Sequence, residues 1–335
     1  MILVTGGTGL VGSHLLYQLT TNNNPVRAIY RNKNKLALTK KIFSYYSENP
    51  DILFNKIDWV EADLLDIPLL TEAFKGITHV YHAAAFVSFE PDKYHLLRKT
   101  NIEGTANIVN LSIANKIEKL CYVSSVATIG SATSKDTLNE LTLWNPEADN
   151  SVYSITKYGA EMEVWRGTQE GLDAVIVNPG VIIGPGIWNY GSGNIFKKVY
   201  NGLPFYTKGV TGYVGIEDVV LPMMKLMESP IKNERFILVS ENWPYKQFID
   251  KIATSLNVKA PSKKASSLLL QMGWRLDWLK HKLTGKRRRL SKQLVHTLNS
   301  KSVYDNTKLK TQLNYQFKPL EKSIKEVAGI FLKEH

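Results

Sequence analysis

Short apolar runs punctuate the first part of the chain at intervals long enough to hold a helix between them. Ile2–Val4, Val26–Tyr30, Trp59–Val60, His79–His82, Leu120–Ser124 and Ala174–Asn178 read as strands, with mixed segments between them suited to crossover helices. Leu120-Cys121-Tyr122-Val123 is apolar without a break, as expected of a strand covered on both faces. The alternation predicts an α/β fold built on a doubly wound parallel sheet. After Asn178 the pattern changes, because Pro179, Gly180, Gly184, Pro185, Gly186, Gly191 and Gly193 break the chain into turns. Residues 1–180 are therefore expected to form the main domain. The segments 181–210 and 243–335 are expected in a smaller C-terminal part, with 211–240 returning to the main sheet. In that later stretch Tyr213–Val220 and Arg235–Val239 read as strands and Tyr245–Leu256 as a helix.

The first strand runs directly into Thr5-Gly6-Gly7-Thr8-Gly9-Leu10-Val11-Gly12, which contains Gly7-x-Gly9-x-x-Gly12. In a strand-to-helix turn this spacing lets one glycine make the turn, one admit backbone amides to a pyrophosphate, and one pack helix on strand. The following helix, Leu10 to Thr20, would aim its positive end at the phosphates. A second strand follows, which is the context a dinucleotide loop requires, so the sheet is expected to be Rossmann-type with a substrate-binding part appended.

Tyr153-Ser154-Ile155-Thr156-Lys157 places a phenol and an ammonium four residues apart, on one helix face. A cation beside a phenol stabilises its phenolate and draws its pKa towards neutrality, which makes Tyr153 a candidate proton carrier tuned by Lys157. Such a pair alone also describes an ordinary exposed helix. About thirty residues upstream, Ser124-Ser125 ends the strand expected beside the glycine loop, where strand ends form a ligand crevice.

With glycine loop, serine strand end and Tyr-Lys helix in this order, the chain resembles the extended (atypical) short-chain dehydrogenase/reductase family of the NAD-dependent epimerase/dehydratase superfamily. The likeness covers roughly residues 1–240. Asp63-Leu64 resembles the family's adenine-contacting pair, His82-Ala83-Ala84 and the following Ala85 the strand lining the cofactor, and Asn101-Ile102-Glu103-Gly104-Thr105 its central helix motif. Alignment on Val126-Ala127 gives Ser125 the substrate-polarising role and Ser124 a supporting one. Asn178-Pro179-Gly180 resembles the segment beside the nicotinamide carboxamide. The resemblance implies Ser125, Tyr153 and Lys157 as catalytic residues. It also implies a homodimer paired through Asn101–Ala114 and Val152–Gly167. His82 reads as a packed strand histidine rather than a catalyst, and Asn101 as a possible helix cap.

A carboxylate near the end of the second strand holds the ribose hydroxyls of NAD, whereas a base there accommodates the extra phosphate of NADP. No Asp or Glu precedes Glu48, and the second strand ends in Tyr30-Arg31, with Lys33 and Lys35 beyond. NADP is therefore expected over NAD, held by Arg31 with help from Lys35. Val26–Arg31 and Asn178–Gly186 also resemble dihydroflavonol reductase-like members. The leading expectation is an NADPH-dependent reductase of a small-molecule ketone or aldehyde. A sugar-nucleotide epimerase or dehydratase and a non-catalytic dinucleotide sensor are the alternatives. Phe86, Phe89, Trp144, Trp188, Tyr190, Phe205 and Tyr206 are candidate crevice walls for an apolar or ring-bearing substrate, although aromatics more often fill cores.

Composition narrows the setting. The apolar fraction of 44% supports a sizeable core, and the single cysteine, Cys121, rules out a disulfide framework or cysteine metal site within one chain. No apolar run has the length of a membrane span, and the first strand begins at Ile2, so a cytoplasmic protein is expected. The net charge of +12 is concentrated: Lys259 to Lys301 holds twelve Lys and Arg against one acid, Asp277, a balance of +11. Such a local segment argues against a nucleic-acid protein and for a contact with an acidic partner or membrane. In it, Met272, Leu276, Leu279 and Leu283 recur at helical spacing beside Trp274 and Trp278, before Arg287-Arg288-Arg289. The favoured expectation is a helix with its apolar face in the core. Contact of 266–292 with an anionic membrane is the alternative.

Overall fold

The computed structural model describes residues 1–130, 137–285, 288 and 291–335. Its strands in chain order are β1 (Ile2–Thr5), β2 (Val26–Tyr30), β3 (Asp58–Glu61), β4 (His79–His82), β5 (Lys119–Val123), β6 (Ala174–Pro179), β7 (Val181–Ile183), β8 (Phe205–Tyr206), β9 (Val210–Gly215), β10 (Glu234–Leu238), β11 (Glu241–Pro244) and β12 (Lys263–Lys264). Seven of them form one sheet in the order β10-β6-β5-β4-β1-β2-β3, with every pairing parallel. The chain leaves β1 in one direction through β2 and β3, then crosses back to β4 and continues the other way. The crevice of such a sheet opens at the carboxyl ends of the strands where the order reverses, here β1 and β4.

The strand periodicity of two divides the apolar residues between two cores. Val4, Val175 and Val177 face the helices Leu10–Thr21 and Glu217–Glu228. Leu3, Leu120, Tyr122 and Ile176 face the opposite layer, with Ile108 of the helix Gly104–Ala114 and Ala160 and Val164 of the helix Val152–Gln169. All five residues of β5 are buried, the apolar run Leu120-Cys121-Tyr122-Val123 together with Lys119, whose Nζ donates to the carbonyls of Leu226 and Ser229.

The smaller part is built on a three-stranded sheet, β11-β9-β7. It is packed by Phe248 and Ile252 of the helix Tyr245–Ser255 and by Ile324, Val327, Ala328 and Phe331 of the helix Leu320–Glu334. Glu334 ties this part to the main one. Its carboxylate accepts from Lys41 Nζ at 2.7 Å, from Trp188 Nε1 at 2.9 Å and from the Tyr45 hydroxyl.

Three expectations change. The strand read over Tyr213–Val220 stops at Gly215, and Glu217 and Asp218 open a helix, where their charges meet its positive end. Within 211–240 that helix and β10 lie on the main sheet, whereas β9 pairs with β7 and β11. Finally, the helix Ser267–Thr284 has the expected apolar stripe, but that stripe faces outward: Met272, Leu276, Leu279 and Leu283 are all exposed. Arg287 and Arg289 lie outside the described residues. No helix among the described residues is long and apolar enough to cross a membrane.

Candidate active site

The glycine loop lies at the reversal point. Gly9 N donates to Gly6 O at 2.9 Å, closing a turn in which Gly6 has φ +70°. A Cβ on Gly6 would lie 2.6 Å from Ala84 N, and one on Gly12 would lie 2.1 Å from Gly6 O, so neither position tolerates a side chain. Thr5 binds this loop to the next strand: its carbonyl accepts from Ala83 N at 3.3 Å and its hydroxyl from Ala84 N at 3.2 Å. Thr8, Leu10 and Val11 complete the loop and first turn, and Ala85 continues from Ala84. The helix Leu10–Thr21 has no side-chain cap and no acid in its first turn. Its amides and positive end therefore suit a pyrophosphate, and the residues fit a bound dinucleotide.

At the ends of β2 and β3, Arg31 Nη1 stands 3.4 Å from Asp63 Oδ2, with the arginine side chain 65% exposed. So long and solvated a pair contributes little, which leaves the guanidinium available to a ligand phosphate. Lys35 is also exposed. Asp63 Oδ1 holds Leu65 N at 2.9 Å, and the Leu64 carbonyl accepts from Asn107 Nδ2 at 2.8 Å, so Asp63-Leu64 is fixed from both sides.

Ser151 caps the helix Val152–Gln169, its Oγ accepting from Ser154 N at 3.0 Å, and this sets Tyr153 in the first turn. Tyr153 lies near Ser125, whose hydroxyl opposes the upward shift of the phenol, and Ser125 is itself held at the strand end because its Oγ accepts from Ala127 N at 3.1 Å. One turn further, buried Lys157 donates to the Tyr122 hydroxyl at 2.6 Å and to the Val123 carbonyl at 2.8 Å. Burial draws the Lys157 ammonium down to about 7, against the opposing pull of Glu161. This corrects the expected tuning of Tyr153. The phenol lies above its ordinary value because burial outweighs the opposing influence of the Ser125 hydroxyl, and the lysine is turned onto Tyr122 and Val123 rather than onto Tyr153.

Beneath these groups is a polar cluster not foreseen from the sequence. Glu161, fully buried, accepts from Ser124 Oγ at 2.6 Å, Thr128 Oγ1 at 2.7 Å, Asn178 Nδ2 at 3.0 Å and Arg235 Nη1 at 3.1 Å. Arg235 also donates to the carbonyls of Glu140 and Thr142. Asn178 further donates to the Ser125 carbonyl at 3.2 Å, so Asn178 acts here as a brace for the serine strand end. Pro179 pairs with Leu238 of β10, and a Cβ on Gly180 would lie 2.4 Å from Gly212 O, so this segment is pinned between the two sheets. The available signal was spacing: Glu161 continues the stripe of Tyr153 and Lys157 at four-residue steps.

His82 is a packed strand residue, bonded to Thr5 Oγ1 at 2.6 Å and Thr105 Oγ1 at 2.9 Å, and burial lowers it to about 3. Asn101 caps no helix. It lies in a π-helical turn, Arg98–Glu103, where it accepts from Phe86 N at 2.8 Å and donates to Thr156 Oγ1 at 3.2 Å, linking the β4 loop to the helix Val152–Gln169. Of the candidate crevice aromatics, Phe89 lies 5.4 Å from the Tyr153 ring and Trp144 stacks on Tyr158. Trp188 is instead buried in the core of the smaller part, held by Glu334. A separate cavity of about 520 Å³, walled by His14, Tyr17, Tyr46, Ile216, Val327 and Ile330 among others, has none of these site residues in its lining.

The family described as NAD dependent epimerase/dehydratase matches residues 2–202. The chain is 31% identical over 267 residues to the putative dihydroflavonol 4-reductase of Synechocystis sp., covering 77% of this chain and 73% of that protein. It is 25% identical over 247 residues to cinnamoyl-CoA reductase 1 of Petunia hybrida, covering 71% and 72%. Its fold is shared with a UDP-glucose 4-epimerase from Thermotoga maritima solved with UDP-glucose, at TM-score 0.78 and 21% identity over 99% of both chains.

Proposed function

Since this chain belongs to the NAD dependent epimerase/dehydratase family and is an NAD(P)-dependent oxidoreductase of the short-chain type, we propose that it reduces a ketone or aldehyde with NADPH. The observation that carries the reading is the placement of Tyr153 near Ser125 at the end of β5, with Lys157 one helical turn behind on the same helix. Bound NADPH supplies a hydride to the carbonyl carbon. The Ser125 hydroxyl holds the carbonyl oxygen, and Tyr153 gives that oxygen its phenolic proton as negative charge develops there. A phenol kept above its ordinary value is protonated at neutral pH, which is the form a reductase needs at the start. Lys157, anchored on Tyr122 and Val123, presents a donor for the cofactor's ribose. Phe89 beside Tyr153 supplies an apolar wall for the substrate.

The choice of NADPH rests on Arg31 and on the lack of any acid before Glu48. The relatives named as reductases support net reduction. Incubating the protein with NADPH or NADH and a panel of carbonyl compounds, and following absorbance of the reduced nicotinamide, tests the reading. Net oxidation of NADPH is expected. Interconversion of sugar nucleotides without net redox would mean an epimerase or dehydratase, and binding without turnover would mean a sensor.

A further inference from the structure

The helix Ser267–Thr284 is firmly bounded, with Ser266 Oγ accepting from Leu269 N at 3.1 Å at its start and Gly285 at φ +66° at its end. Its inward side is narrow: Leu270 and Trp274 pack with Ala265 and Val295. On the other side, Leu268, Leu269, Met272, Leu276, Leu279 and Leu283 are between 43% and 76% exposed. At 3.6 residues per turn these six fall within an arc of about 100°, a continuous stripe about 22 Å long. Exposed Arg275 and Lys282 border it on one side and exposed Lys280 on the other. Trp278, itself exposed, lies along the first border, with Lys282 Nζ 5.5 Å from its ring. The surrounding segment, Lys259 to Lys301, carries twelve Lys and Arg against one acid.

We propose that this helix is a membrane-interface element that lies flat in the headgroup layer of an anionic bilayer, its leucine stripe among the acyl chains and its cations on lipid phosphates. The apolar stripe without a core partner and the cationic borders are the two halves of an interfacial helix. Trp278 at the border is the residue type favoured at a wet-apolar boundary. Charge decides the occupant. A second copy of the chain laid on this stripe would bring Arg275, Lys280 and Lys282 against their own counterparts, whereas an anionic lipid surface complements all three.

The test is flotation of the full chain with neutral phosphatidylcholine vesicles and with vesicles also containing phosphatidylglycerol, at low and high salt. Binding to the anionic vesicles at low salt, with release at high salt, is expected. Leu276→Glu with Leu279→Glu should abolish it. Arg275→Gln, Lys280→Gln and Lys282→Gln together should weaken it about a hundredfold, from about 1 kcal/mol for each cation near the surface. These side chains are exposed, so thermal melting and NADPH oxidation should remain as in the parent. Equal binding to both vesicle types, no binding at low salt, or vesicle binding untouched by the leucine changes would overturn the proposal. So would loss of a dimer in sedimentation on those changes with vesicle binding unaltered, because the stripe would then be a contact between copies.

Discussion

Glu161 of the catalytic helix and Arg235 of β10 meet at 3.1 Å across 74 residues of sequence, and this pair fixes the strand end that carries Ser125. The carboxylate is fully buried and the arginine side chain is 15% exposed, so neither charge has water to fall back on. Glu161→Ala should cost about 3–5 kcal/mol, since it leaves a largely buried guanidinium without its counter-charge. Arg235→Ala should cost a similar amount, and the double variant much less than the sum. Urea unfolding of the four proteins measures the coupling. Additive losses would show that the two side chains act independently.

Tyr153→Phe keeps the ring against Phe89 but removes the proton, so turnover should fall at least a hundredfold while NADPH still binds. Lys157→Ala should harm both steps. Steady-state rates and a fluorescence titration of the cofactor separate the two effects. Activity of Tyr153→Phe within tenfold of the parent would require another acid.

Arg31→Ala should weaken NADPH binding by about 1.5–3 kcal/mol, the worth of a hydrogen bond to a charged group, and leave NADH nearly unchanged. Isothermal titration with both cofactors checks this, and equal losses would remove Arg31 from the specificity determinants.

His14 and His82 are both buried and lowered by burial, to about 4 and about 3. Above an unfolded value near 6.5 neither state binds the proton, and no penalty arises. Between there and the folded values the unfolded chain binds it and the folded chain does not, so stability falls as the pH falls. At pH 5 each histidine should cost about 2 kcal/mol. Thermal melts from pH 7 to 4.5 should show this decline, shallower in His14→Gln. An unchanged slope in that variant would show that His14 does not contribute.

The sequence made the cofactor side legible because its chemistry is contiguous: glycine loop, serine strand end and Tyr-Lys pair each fit within a few residues. Glu161, Arg235 and Tyr122 take their meaning from segments that meet only in the fold. The helix Glu217–Glu228 was read partly as strand because Val219, Val220, Met223, Met224 and Met227 are all buried, which erases the one-sided pattern of a surface helix. For Ser267–Thr284 the periodicity located the stripe correctly. Periodicity alone does not say which side of a helix the rest of the protein covers. The Tyr153 phenol lies above its ordinary pKa because burial, invisible in sequence, outweighs the opposing influence of the Ser125 hydroxyl.

Glu334 joins Lys41 and Tyr45 of the cofactor-binding part to Trp188 of the smaller part, and so acts as the spine of a book whose pages are the two parts. Glu334→Gln weakens the binding of that spine, and hydrogen exchange in the helix Leu36–Phe43 should quicken while the central strands stay protected.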